Sequence, residues 1–319
     1  MHFLGVLWRP CLPNWVDLKD LIPLFKKKGI TACFLANNSP GKTYHFFSDS
    51  MKLEDMDSNE PDVVTRIMEV NKHLSKKNML GGDMKVPSQR STLKCPYFPS
   101  SCLWPHSIDG NVYIPYSLEQ SFSESQKKTI IAALSEFNSL TCIKFKRRKY
   151  EYSYIRITAQ QGCWAAIGRI GGPQPLSLEI PSCLWQGVIQ HELMHSIGFI
   201  HEHCRNDRDQ YVTHDWQQIS SMEFNFEKMD SNNLGMKYDY GSLMHYGRYL
   251  FSKNSLPTIL PKPNPDTIIG QIYGFSVNDI NKIRKLYNCS KCLSSFLKKL
   301  PFNNLLTSVE LLYYNLAAY

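Results

Sequence analysis

Between positions 191 and 202 the chain reads His-Glu-Leu-Met-His-Ser-Ile-Gly-Phe-Ile-His-Glu. On a helix, residues four apart share a face about one turn apart, so His191 and His195 can aim both imidazoles at a single ion. Two histidines at this spacing with a glutamate directly after the first are the outline of a zinc site. Glu192 lies at the flank of that face, where its carboxylate reaches a water beside the metal rather than the metal itself. It is the candidate general base, and the chemistry is hydrolysis.

A third ligand follows from the same geometry. His201 comes six residues after His195, which on an unbroken helix would point it roughly 120° away from the ion. The helix therefore has to end, and Gly198 is where a left-handed residue turns the chain back cheaply. Three neutral imidazoles leave a position open, as a catalytic zinc requires; a structural zinc site would be closed by a fourth protein ligand.

The elements needed to hold these residues are those of an α+β chain. Residues 61–77 place Val63, Ile67, Met68 and Leu74 on one helical face. Residues 112–116, 142–146 and 154–157 alternate as strands. Ser123 with Gln126 opens a helix presenting Ile130, Ala133, Leu134 and Phe137, and Ser276 with Asp279 opens a last one carrying Ile280, Ile283 and Leu286. Residues 176–180 are expected as a short strand along the cleft, its edge holding an extended peptide by main-chain hydrogen bonds. The zinc helix starts near Trp185. After Gly198 regular patterns thin out, and the simplest arrangement is two lobes with the metal between them.

Composition narrows the class. The 319 residues suffice for one sizeable domain with attachments. No stretch reaches the eighteen or so apolar residues of a membrane span. The net charge of +8 gathers in runs such as 26–28 and 144–149, which read as solvated faces rather than a nucleic-acid surface. Ten cysteines suit an oxidising, extracellular setting. Residues 1–30 do not read as a secretory leader: the apolar run at 3–8 is short, and an arginine and several prolines break the chain directly after it. Secretion is thus expected from the cysteines and from family resemblance, with the true start expected to be missing from this sequence.

The long histidine motif marks the metzincin zinc peptidases, which carry a methionine turn downstream; Ser242-Leu243-Met244-His245-Tyr246-Gly247 supplies one here. With Glu202 after the third histidine, the chain resembles the astacin family, in particular its six-cysteine, hatching-enzyme-like members from fishes. The similarity runs over about residues 81–289 and includes Gly168-Arg169-Ile170-Gly171-Gly172, Leu176-Ser177-Leu178 and Arg205-Asn206-Asp207-Arg208-Asp209.

The resemblance implies a two-lobed catalytic domain. A twisted mixed sheet and the zinc helix form its N-terminal lobe, its C-terminal lobe is mostly irregular, and a propeptide precedes it. It implies one Zn2+ on His191, His195 and His201, with Glu192 as base. Tyr246 is implied as a further zinc ligand that swings to the tetrahedral oxyanion, and Met244 as a packed floor under the histidines. Disulfides Cys142–Cys289, Cys163–Cys183 and Cys95–Cys102 are implied, leaving Cys11, Cys33, Cys204 and Cys292 unassigned. Asp83, beside two glycines that let the backbone approach closely, is implied as the ligand that blocks zinc in a latent zymogen. Arg90–Ser91 is the expected maturation point for a trypsin-like protease, after which the new terminus approaches Glu202. The expected divisions are residues 1–90 as atypical N-terminus and propeptide, 91–292 as catalytic domain and 293–319 as a tail of unknown role. The expected partner is an extended protein or peptide substrate, egg-envelope proteins among the candidates. The competing reading is an inactive secreted binding protein of the same family.

Overall fold

Alternation of large apolar and polar residues sets the main sheet. In the computed structural model, which describes residues 61–74, 79–85 and 102–289, Val112, Ile114 and Tyr116 of β3 (Val112–Leu118) turn into the core. Ile143 and Phe145 of β4 (Ile143–Arg147) and Ile155 and Ile157 of β5 (Tyr154–Thr158) do the same. Two further strands, β6 (Cys163–Ala166) and β7 (Pro173–Leu178), form an antiparallel hairpin over the glycine-rich turn. With the short pair β1 (Met79–Leu80) and β2 (Met84–Lys85), the sheet has seven strands in the order β1-β2-β6-β7-β5-β3-β4. It is mixed: β3 runs parallel to β4 and β5, and β7 parallel to β5.

Helix α1 (Val63–Asn71) is capped by Asp62, whose carboxylate accepts from the Thr65 amide at 3.0 Å and its hydroxyl at 2.6 Å. It is shorter than the 61–77 expected from its apolar positions. Asn71, its last residue, ties the helix end to the neighbouring strands: its side chain donates to the carbonyls of Gly82 and Cys163 and accepts from the Cys163 amide. Helix α2 (Glu124–Leu140) begins with the Ser123–Gln126 capping box and buries Ile130, Ala133, Leu134 and Phe137. Helix α3 (Gln186–Ser196) carries the histidine motif and is buried along nearly its whole length.

Beyond Gly198 the described chain has little regular structure: β8 (Val212–His214) paired with β9 (Ile259–Pro261), and helix α4 (Val277–Leu286). Disulfides Cys142–Cys289 and Cys163–Cys183 form as the resemblance implied. The first closes a loop of 147 residues, worth about 4–5 kcal/mol in the chain-entropy account. Cys102 is disulfide-bonded, and Cys95 lies outside the described residues.

One expectation needs correcting. The strand expected to offer an edge to a peptide, around 176–180, is β7, and both its sides are filled, by β6 and by β5. Beyond β7 lies β6, whose outer edge is occupied by β2 in parallel register, Met84 opposite Ala165. Alternation reveals a strand but not its place in the sheet, which depends on pairings distant in sequence.

Candidate metal centre

Helix α3 delivers His191 and His195 one turn apart, and Gly198 at φ +105° reverses the chain. The turn is sealed by the Gly198 amide on the His195 carbonyl (2.9 Å) and the Phe199 amide on the Met194 carbonyl (3.0 Å). Trp104 donates its indole N–H to the last helical carbonyl, of Ser196. His201 then swings back. Each helical histidine is oriented from behind: His191 Nδ1 donates to the Leu243 carbonyl at 3.0 Å and His195 Nδ1 to the Phe199 carbonyl at 2.7 Å. A carbonyl only accepts, so in both rings Nε2 carries the free lone pair.

These nitrogens converge, and Asp83 joins them. Asp83 Oδ2 lies 3.1 Å from the Nε2 atoms of His191 and His201, Oδ1 lies 3.5 Å from His195 Nε2, and the two Nε2 atoms of His191 and His201 are 3.3 Å apart. All four residues are fully buried, and His195 Nε2 and Asp83 Oδ1 lack any hydrogen-bond partner. Four ligand atoms on a tetrahedral zinc at about 2.0–2.1 Å stand roughly 3.3 Å apart. The spacing, the two imidazole–ligand tautomers and the orphaned buried atoms therefore fit one Zn2+. Burial pushes Asp83 upward, but the three facing imidazoles more than reverse this and hold its carboxyl well below the ordinary range. Burial also lowers His191 and takes His201 down to about 4, which keeps them neutral, as metal ligands must be.

Glu192 is buried and both its oxygens lack partners. It stands outside the ligand set. Burial first, and the neighbouring Asp83 second, raise its pKa well above the usual carboxylate value. Tyr246 is fully buried, and its hydroxyl donates to the Gly81 carbonyl at 2.8 Å instead of turning to the histidine nitrogens. Gly81 sits so close to the third ligand that a side chain there would meet His201 Nδ1 at 2.7 Å. The hairpin turn 81–83 thus engages the ligand set through Asp83 and Tyr246 through a backbone carbonyl.

Several positions carry more than their sequence suggested. His203 and His245 are buried: His203 lies ring to ring with Tyr246 at 3.7 Å, and His245 Nε2 meets the Tyr238 hydroxyl at 2.7 Å. Asp279 does more than cap α4. It accepts from Ser242 Oγ (2.6 Å) and from the Leu243 amide (2.9 Å), fixing the segment that carries buried Met244. Glu202, expected to receive a new chain terminus, already has both oxygens engaged, with Lys282 Nζ at 2.6 Å and Arg205 Nη1 at 3.0 Å, and the Asp239 amide at 2.9 Å. No sequence signal pointed to Lys282, since its partner lies 80 residues away.

A three-histidine, one-carboxylate centre on a sheet-and-helix scaffold with a methionine turn defines a zinc-metallopeptidase architecture. The sequence model of the Astacin peptidase family matches residues 103–288. The chain is 44% identical over 230 residues to high choriolytic enzyme 1 of Oryzias latipes, covering 72% of this chain and 84% of that one. It is 44% identical over 247 residues to an astacin-like metalloendopeptidase of Coturnix japonica, covering 76% of this chain but only 59% of the relative's length. Among solved structures, that of high choriolytic enzyme 1, described as a hatching enzyme zinc-protease, superposes with a TM-score of 0.59 at 45% identity, over 60% of this chain and 97% of that one. The chain belongs to the astacin family.

Proposed function

We propose that this protein is a secreted, zinc-dependent endopeptidase made in a latent form, and that residues 81–83 are its inhibitory plug. The observation that carries the reading is the meeting of His191, His195, His201 and Asp83 within 4.8 Å, with Glu192 beside them and free of any partner. His191, His195 and His201 would hold the metal. Zinc, when bound, supplies the Lewis acidity that polarises a peptide carbonyl and activates water.

The chain's own residues do the rest. Asp83 fills the coordination place a substrate needs, so latency is a matter of occupancy. Once the hairpin leaves, the β6 edge is open to an extended peptide through main-chain hydrogen bonds. Glu192, relieved of the Asp83 charge, takes the proton of the attacking water and returns it to the leaving amine. Tyr246, released from Gly81, has a hydroxyl free to donate to the oxyanion. Two disulfides among the described residues support an oxidising compartment, and no described helix is long and apolar enough to cross a membrane. Likeness to choriolytic enzymes makes egg-envelope proteins the first substrates to try.

The test is direct. The purified full chain should carry one zinc per molecule by atomic emission, and should hydrolyse casein after trypsin cleavage near Arg90 and not after a chelator. A zinc-free chain, or a cleaved and zinc-loaded one without hydrolysis, refutes the reading in favour of a non-catalytic binding protein. Asp83→Ala should raise the activity of the uncleaved chain about tenfold or more, as expected from unblocking an open coordination site.

A further inference from the structure

The residue after the plug is as deeply held as the plug itself. Met84 is fully buried, and it packs in a small apolar cluster apart from the main core, with Cys204 and Met229 and with Ile167 and Ile200 partly buried around them. Its methyl group lies within contact distance of the Gly81 backbone, on the His201 side. Cys204 is a free, fully buried thiol three residues past the third ligand; its Sγ lies 3.3 Å from His203 Nε2 and 3.6 Å from the Asn225 carbonyl, which hold it in place, and burial pushes it up to about 12, so it lines the cluster as a neutral thiol. Met229 is tied to it by its amide on the Cys204 carbonyl at 2.8 Å.

Apart from the hairpin residues Met84 and Leu80, the wall of this pocket comes from residues 167–229. It would lose its cover if the hairpin left. An exposed apolar hollow directly beside a metal centre, on the strand edge where a peptide lies, calls for a ligand. We infer that the Met84 pocket is a substrate subsite with Cys204 as its floor, and that it selects an unbranched or γ-branched apolar side chain, methionine or leucine, next to the scissile region. The inference rests on the peptidase reading and adds a substrate preference to it. The observed occupant carries the argument: the chain's own methionine fills the hollow, and flexible thioether and aliphatic walls adapt to such shapes. A carboxylate or ammonium there would be desolvated without a counter-charge and is selected against.

Two measurements test it, one of them independent of hydrolysis. In the full chain under native conditions, alkylation of Cys204 by iodoacetamide, read by peptide mass, should be at least tenfold faster in Met84→Ala than in wild type, whereas Met84→Leu stays protected. In the trypsin-cleaved chain, the hexapeptide of residues 80–85 should protect Cys204 when it carries methionine or leucine at the fifth place and not when it carries aspartate. Cleavage of a peptide library should then be enriched about tenfold in methionine and leucine at one position flanking the cut, and Cys204→Phe should abolish that enrichment. A Cys204 equally protected in Met84→Ala and wild type, or hexapeptides that protect without regard to the fifth residue, overturns the subsite. Selective protection without any hydrolysis upholds the pocket and overturns the peptidase reading.

Discussion

Up to Ser196 the described chain is built of strands and helices whose apolar side chains recur at periods of two and 3.6. From Ile197 to Leu286 it has two three-residue strands, three short 3-10 turns and one α-helix. In the first part, shape comes from backbone ladders and a shared core: Phe137 is fully buried and packs edge to face against Phe145 and Phe275. In the second, individual polar side chains take the place of the ladders. Arg208 Nη1 donates to the carbonyls of His203 and Phe226, Arg205 to those of Met236 and Lys237, and Lys282 closes on Glu202. Each part supplies ligands, His191 and His195 from the first and His201 from the second. The metal site thus draws two ligands and its candidate base from the region of ladders and its third ligand from the region held by polar side chains.

On that division, the largest effect is expected on the side that carries Glu192. Glu192→Gln in the cleaved, zinc-loaded chain should lower kcat/KM by about 10²–10⁴ with zinc content unchanged; a variant within threefold of wild type removes Glu192 as the base. Stability should then separate the two regions. Phe137→Ala should cost about 3–5 kcal/mol in denaturant unfolding, and no second substitution at a polar partner should recover it. Lys282→Met should cost about 3 kcal/mol by leaving Glu202 buried against Arg205 alone, and adding Glu202→Gln should recover part of that. Equal costs for the single and double variants would erase the distinction between the two regions.

The smallest expected effect concerns acid. Burial, with Arg208 next, depresses His214 from 6.5 to about 3. Below pH 6.5 the unfolded chain takes up a proton that the folded chain refuses, so stability falls as pH drops from 6.5 towards 3. His214→Phe, which preserves an aromatic ring against His203, Trp216 and Phe226, should flatten that limb by up to about 2–3 kcal/mol and change little at pH 7. An unchanged acid limb in the variant assigns the loss to other groups.

The spacing of His191, Glu192, His195, Gly198 and His201 was enough to place a metal-binding trio and the end of a helix and to nominate Glu192 as a candidate base, because these depend on helix geometry within eleven residues. Strands, capping boxes and the inward faces of α2 and α4 were legible for the same local reason. The strand order was not: β7 alternates well enough to be recognised, yet only its pairing with both β5 and β6 shows that it has no free edge. Likewise Asn71, Lys282 and Cys204 look ordinary in sequence. Their roles come from partners such as Cys163, 92 positions away, and Glu202, 80 positions away. Sequence alone determined which side chains could bind and activate, since that follows from residue type and local period. Tertiary structure decided which strand edge is available, where Asp83 and Met84 are seated, and what holds His201 in place, because those depend on segments brought together only by burial of a common core.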